Sequence, residues 1–169
     1  MSKSELLDIV NDFDEVIGSV PYEEVYLHKH PHRLVHIFLF NDKKQLLMQQ
    51  RTFFKPKHGG TWMTSAGGHV RAGESYEEAA KRELQEELGI AVPLKRMGKD
   101  FLIDDGHKKF FAIFVGKTNQ REFVFDPIET QRLVWKSFAD IAAMMQSNEP
   151  LHPEFVAELR AHWAEELGE

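Results

Sequence analysis

The sequence predicts an α+β domain organised on a mixed sheet. Strand-like apolar runs fill the middle of the chain, from "RLVHIFLF" to "IETQRLVWKSF". Helical periodicity is confined to a few segments, the clearest being "YEEAAKRELQEELG". The length of 169 residues, with 42% hydrophobic and 28% charged content, suits one globular domain with a proper core.

In chain order, "LLDIV", "NDFDE" and "VIGSV" read as strand, turn and strand. "PYEEVYLH" reads as a short helix with Pro21 at its first position. "RLVHIFLF", "NDKK" and "QLLMQQR" form a hairpin. "TFFKPKHGGT" is a loop by its Gly and Pro content, and "WMTSAGGHV" a strand followed by a glycine-rich turn. The central helix is announced by Ser75 as N-cap, with Glu78 three residues on completing a capping box. Gly89 stops it. Ala80, Leu84 and Leu88 give it an apolar stripe. "VPLKRMGKDFLID" and "KKFFAIFVGKT" are two strands around "DGH", and "IETQRLVWKSF" is a further strand. "ADIAAMMQS" and "HPEFVAELRAHWAEEL" close the chain as helices; Phe155, Leu159, His162 and Trp163 mark the apolar side of the second. Trp135, Phe155 and Trp163 are expected in the core. Residues 1–30 read as N-terminal strands and a connector packed on the core, and 31–169 as the main domain.

Composition narrows the function classes. The 27 acidic and 21 basic residues leave a net charge of −6, a poor basis for non-specific nucleic-acid binding. There is no cysteine, which excludes disulfides, thiolate zinc sites and cysteine nucleophiles. "MSKSELLDIVNDFDEV" is acidic without an apolar leader, and the longest apolar runs are too short to span a bilayer. A cytoplasmic protein with no membrane partner is the expectation.

The chemistry is concentrated in "RELQEELG". Glu83, Glu86 and Glu87 stand at i, i+3 and i+4, so all three project from one helix face. Like charges there repel, yet three carboxylates together suit a hard divalent cation such as Mg²⁺, which takes oxygen ligands and keeps sites for phosphate oxygens. Gly68 offers a tight turn ahead of the helix, and Arg82 stands beside the carboxylates, able to orient one by a bidentate contact.

With its approach, the helix reads "GGHVRAGESYEEAAKRELQEELGI". Nine positions from Gly68 to Ile90, namely Gly68, Glu74, the run Arg82-Glu83-Leu84, Glu86-Glu87 and Gly89-Ile90, are spaced without a gap. This resembles the Nudix box. The resemblance implies an α/β/α sandwich around a mixed sheet. It implies an enzyme that uses Mg²⁺ or Mn²⁺ to activate water and cut a diphosphate. It also implies roles: Glu83 and Glu87, then Glu86, as metal ligands; Glu83 and Glu86 as catalytic groups; Glu74 and Arg82 as ties between loop and helix. A carboxylate outside the box can serve as general base, and Glu129 in "DPIETQRLVW" is the candidate.

The flanks are similar to the isopentenyl diphosphate isomerase branch of the same superfamily, in His32, Arg51, Trp62 and His69. The departures point away from isomerisation. That enzyme type carries a catalytic cysteine where this chain has Gly67, and two metal-completing glutamates where an ungapped placement sets His107 and Lys109. An isomerase-like Nudix hydrolase is therefore expected. The alternatives are an isomerase-like enzyme or a non-catalytic nucleotide-sensing module.

Arg51, Lys55, Lys57 and His69 are expected to contact substrate phosphates, with His58 beside them. Phe53, Phe54 and Trp62 could stack on a base or lie in the core. His28, His30, His32 and His36 resemble a metal cluster by count, but their spacing sends them in different directions. A homodimer is plausible.

Overall fold

The computed structural model describes residues 5–169; the first four residues of the N-terminal segment lie outside them. The chain runs β1 (Leu6–Val10), β2 (Val16–Pro21), α1 (Tyr22–Leu27), β3 (His32–Phe40), β4 (Leu46–Arg51), β5 (Trp62–Met63) and β6 (Ala66–His69). It continues through α2 (Tyr76–Leu88), β7 (Leu94–Asp104), β8 (His107–Lys117), β9 (Thr130–Lys136), α3 (Phe138–Gln146) and α4 (Pro153–Leu167). The strands form one mixed sheet. β3 lies parallel to β8 along its whole length and antiparallel to β1, β4 and β6.

β3 shows why the result is a three-layer sandwich. Side chains of a strand alternate between faces. Val35, Ile37 and Leu39 pack with Ala80, Leu84 and Leu88 of α2. Phe38 faces the other way, onto Phe155, Leu159 and Trp163 of α4. Both faces are therefore covered, and β3 reads as a nearly continuous apolar run. Each fully buried aliphatic side chain contributes about 1.5–3 kcal/mol relative to exposure.

The helix ends carry the local signals. Ser75 and Glu78 form the reciprocal capping box of α2, and Gly89 closes it at φ 67. A second capping box, Ser137 with Asp140, starts α3. α4 is capped by His152, whose ring accepts a hydrogen bond from the Glu154 N–H. Trp135 is partly buried against the α2-side core, and Phe155 and Trp163 are buried on the α4 side.

Two local expectations change. Pro21 is the N-cap of α1 and the last residue of β2, one step before the first helical position. The glycines of "SAGGH" form no turn: they lie inside β6, with Gly67 paired to His36 and Gly68 to Val35 of β3. The N-terminal hairpin is tied into the main sheet, through Ile9 paired with His32 and buried Leu7 and Val10. Among the described residues no helix is long and apolar enough to cross a membrane, which says nothing of β-barrels.

Candidate active site

A cleft of about 600 Å³ is floored by β3 and β6, a volume in the range of small-molecule sites. One wall is the α2 helix with Glu83 and Glu87; another is β8 and the start of α4, with Lys109, His152 and Glu154. Loop residues Arg51, Lys55, Lys57, His58 and Glu129 line it as well, and a corner is made by Tyr22, Tyr26, His69 and His107.

The α2 wall explains its glycine. A Cβ on Gly68 would overlap the Glu83 carboxyl group, with Glu83 Oε2 only 2.7 Å away. Gly68 is needed for close approach of strand and carboxylate, and the turn expected there is absent because β6 continues through it. Arg82 grips Glu74 with two prongs, Nε to Oε1 at 2.7 Å and Nη2 to Oε2 at 2.9 Å. It also donates to Glu83 Oε1 at 2.6 Å, Glu86 Oε2 at 3.2 Å and the His69 carbonyl at 2.8 Å. Burial would raise the Glu74 carboxyl, but Arg82 outweighs it and holds Glu74 low.

Glu83 and Glu87 behave differently. Burial pushes Glu83 up to about 7, against the pull of Arg82. Burial and then the Glu83 charge push Glu87 up to about 8. Glu87 Oε2 accepts from the Gly67 N–H and from Gln49 Nε2, both at 3.1 Å. Gln49 is oriented in turn by the Thr130 hydroxyl at 2.8 Å. Glu86 turns outward, to Arg82 and to Arg71 Nη1 at 3.3 Å. Among the described residues no three His, Asp or Glu side chains gather as a complete ligand set. A pair of recessed carboxylates, costly to ionise alone, fits an ion such as Mg²⁺, which takes one or two protein carboxylates and fills its shell with water and phosphate oxygens.

At the loops, Lys55 is ion-paired with Glu129. Among the described residues Arg51 reaches only the Lys57 carbonyl, at 3.5 Å, and its buried Nε has no partner. Phe53 and Phe54 are exposed, at 67% and 94%, whereas Trp62 is buried beneath the Arg132 guanidinium.

Two glutamates of α4, Glu154 and Glu158, escaped the sequence reading. His36 bonds Glu158 at 2.5 Å, and Lys109 bonds Glu154 at 2.9 Å. Burial would lower His36, but the Glu158 charge outweighs it and raises the imidazole. The signal was available in "PEFVAEL", where Glu154 and Glu158 flank Phe155 and Leu159 on a helix that packs inward. The histidines divide: His28 and His30 pair with each other at the surface, while His32 joins His69 and His107. His107 and Lys109 do reach the neighbourhood of His32, since Lys109 sits opposite it in the β3–β8 register. A side chain at Gly67 would meet the Val35 carbonyl at 2.6 Å, so this backbone has no room for the isomerase cysteine without a shift.

A family model described as NUDIX domain matches residues 30–159. The uncharacterized Nudix hydrolase PA4841 of Pseudomonas aeruginosa is 39% identical over 114 residues, 67% of this chain and 68% of that protein. An isopentenyl-diphosphate Delta-isomerase of Serratia proteamaculans is 41% identical over 93 residues, 55% of this chain; the match spans only about half, 52%, of the isomerase. The crystal structure of DR0079 from Deinococcus radiodurans superposes with a TM-score of 0.83 at 25% identity, covering 94% of this chain and 99% of the other.

Proposed function

Because the chain belongs to the NUDIX domain family and is a hydrolase of the pyrophosphohydrolase kind, we propose that it cleaves the diphosphate of a nucleoside diphosphate or related organic diphosphate with Mg²⁺, or Mn²⁺ in its place. The observation that carries this reading is the Glu83–Glu87 pair, two recessed carboxylates facing a cleft, with no side-chain cation on Glu87 among the described residues. Bound there, the ion supplies Lewis-acid polarisation of the phosphate and activation of the attacking water.

The chain's residues do the rest. Glu83 and Glu87 hold the ion, with Glu86 next in line. Arg82 and Glu74 lock strand β6 and α2 together, so the two carboxylates are oriented before substrate arrives. Arg51, Lys57 and Lys55 bind phosphate oxygens, and His69, on the Gly68 strand, lines the same cleft. Glu129 accepts the proton of the attacking water once Lys55 turns to the phosphate. The protein acts in the cytoplasm, as a monomer or a homodimer.

The test is a panel of nucleoside, sugar-nucleotide, dinucleoside and prenyl diphosphates, incubated with Mg²⁺ or EDTA, with products identified by mass spectrometry. Cleavage of one class that disappears in EDTA is the expected result. Binding without product, in wild type with Mg²⁺, would instead make the chain a sensing module.

A further inference from the structure

The α4 wall of the cleft has no part in the chemistry above. Its polar groups form one network. Glu154 is only 9% exposed, and its Oε1 accepts from Lys109 Nζ at 2.9 Å. Its Oε2 lies 3.9 Å from His36 Nε2 and accepts no hydrogen bond among the described residues. Lys109 uses one of its three N–H donors on Glu154. His152 Nδ1 accepts from the Glu154 N–H. Burial lowers that ring to about 4, so at neutral pH its hydrogen sits on Nε2. Among the described residues nothing accepts from that N–H, and His36, Lys109, His152 and Glu154 all line the cleft.

The wall is therefore polar but balanced. Lys109 and the raised His36 stand against Glu154 and Glu158. A phosphate bound here would draw Lys109 from Glu154 and leave a buried carboxylate uncompensated, and a metal ion would meet the Lys109 charge. A hydroxyl group donates, accepts and carries no charge, so it satisfies the free oxygen and the free N–H groups without breaking an ion pair. An apolar group satisfies none of them. Among the described residues Leu34 and Met63 are the only aliphatic side chains lining the cleft, too few to bury a prenyl chain. The His58 and His152 rings are 4.4 Å apart between centroids, so the wall adjoins the loop that carries Lys55 and Lys57.

We infer that the α4 wall is the subsite for an uncharged polyhydroxyl group, a sugar or other polyol esterified to the diphosphate, with Glu154 accepting from one hydroxyl and Lys109 and His152 donating to its neighbours. The diphosphate lies between this wall and the α2 carboxylates. A ligand of the same shape without hydroxyls leaves buried polar groups unpaired, and the site rejects it for that reason.

The inference takes its diphosphate from the hydrolase reading, but binding tests it apart from turnover. NMR titrations with Mg²⁺ present compare glycerol 3-phosphate with propyl phosphate, which has the same carbon chain without the hydroxyls. Wild type should bind glycerol 3-phosphate about tenfold more tightly. The double variant Lys109→Met, Glu154→Leu exchanges a buried ion pair for apolar groups, a change that folds tolerate. It should lose the preference and bind propyl phosphate at least as well as wild type does. His152→Asn keeps a capping residue ahead of α4 and removes the Nε2–H, so it should reduce the preference severalfold; it decides the matter if the double variant does not fold. Equal affinities in wild type, no binding of glycerol 3-phosphate, or a preference unchanged in either folded variant would overturn the subsite. Cleavage of diphosphates with and without a polyol at equal kcat/KM overturns the subsite and leaves the hydrolase standing. A hydroxyl preference in binding, without cleavage of any diphosphate, does the reverse.

Discussion

Glu83 on the α2 wall and Glu154 on the α4 wall are buried alike, with side-chain exposures of 12% and 11%. Their protonation differs sharply. Glu83 is pushed up to about 7, while Glu154, against the upward push of burial, is held down at about 2 by His36 and Lys109. Burial alone decides neither. On the α4 wall, Lys109 and a raised His36 face Glu154 and Glu158, and each carboxylate has a cation beside it. On the α2 wall, Arg82 is shared among Glu74, Glu83 and Glu86, and Arg71 between Glu5 and Glu86. Among the described residues Glu87 receives only an amide N–H from Gly67 and the Gln49 side chain. One wall is electrostatically complete; the other leaves negative charge for an external cation.

The largest break in that contrast is Glu87→Gln. Losing the ligand should lower turnover about a thousandfold at saturating Mg²⁺ without unfolding the chain. Product formation by the variant within a few-fold of wild type would remove Glu87 from the metal site.

Gly68→Ala comes next. Its methyl group displaces Glu83 while keeping every charge, and an ångström-scale misplacement can cost about a hundredfold in rate. Full activity in this variant, measured alongside its melting temperature, would show that the close approach is dispensable.

Ion binding should stabilise the fold by about 2.7 kcal/mol when Mg²⁺ is at a hundred times its Kd. Glu83→Gln and Glu87→Gln should lose this gain, and a variant that keeps it would place the ion elsewhere. In EDTA the two walls should respond to pH with opposite sign. The Glu87 carboxyl, raised from 4.5 to about 8, contributes stability below pH 4.5 that is lost as pH rises through 8. Glu154, lowered from 4.5 to about 2, contributes stability above pH 4.5 that is lost as pH falls through 2. Thermal melts across pH 3–9 should lose the alkaline decline in Glu87→Gln and the acid decline in Glu154→Gln; unchanged curves would mean that the partners do not set these charges.

The smallest effect belongs to the cap. Ser75→Ala should cost about 1 kcal/mol of stability and leave KM untouched, since Ser75 meets Glu78 and not the cleft. A large loss of activity at full stability would tie the cap to catalysis after all.

The box region was legible because its signals are local. A capping box, a glycine stop, an apolar stripe and three carboxylates at i, i+3 and i+4 all follow from the period of one helix. The glycine-rich turn misread the same stretch, because a short strand and a turn can carry the same small residues. Only the pairing of Gly67 and Gly68 with β3 separates them. The histidines could not be sorted by spacing either: the β3–β8 register, which sets Lys109 opposite His32, is a contact between strands some seventy residues apart.

The sequence by itself determined the α+β class, the helix that bears the carboxylates, the Nudix family and the absence of thiol chemistry, because each rests on residue type and short-range periodicity. Tertiary structure alone decided which glutamates are compensated. It also brought α1, β8 and α4 around one cleft and set its imidazoles apart, His36 raised by Glu158 while burial lowers His69, His107 and His152. Those properties depend on burial and on charges brought together across the chain, and a linear order of residues carries neither.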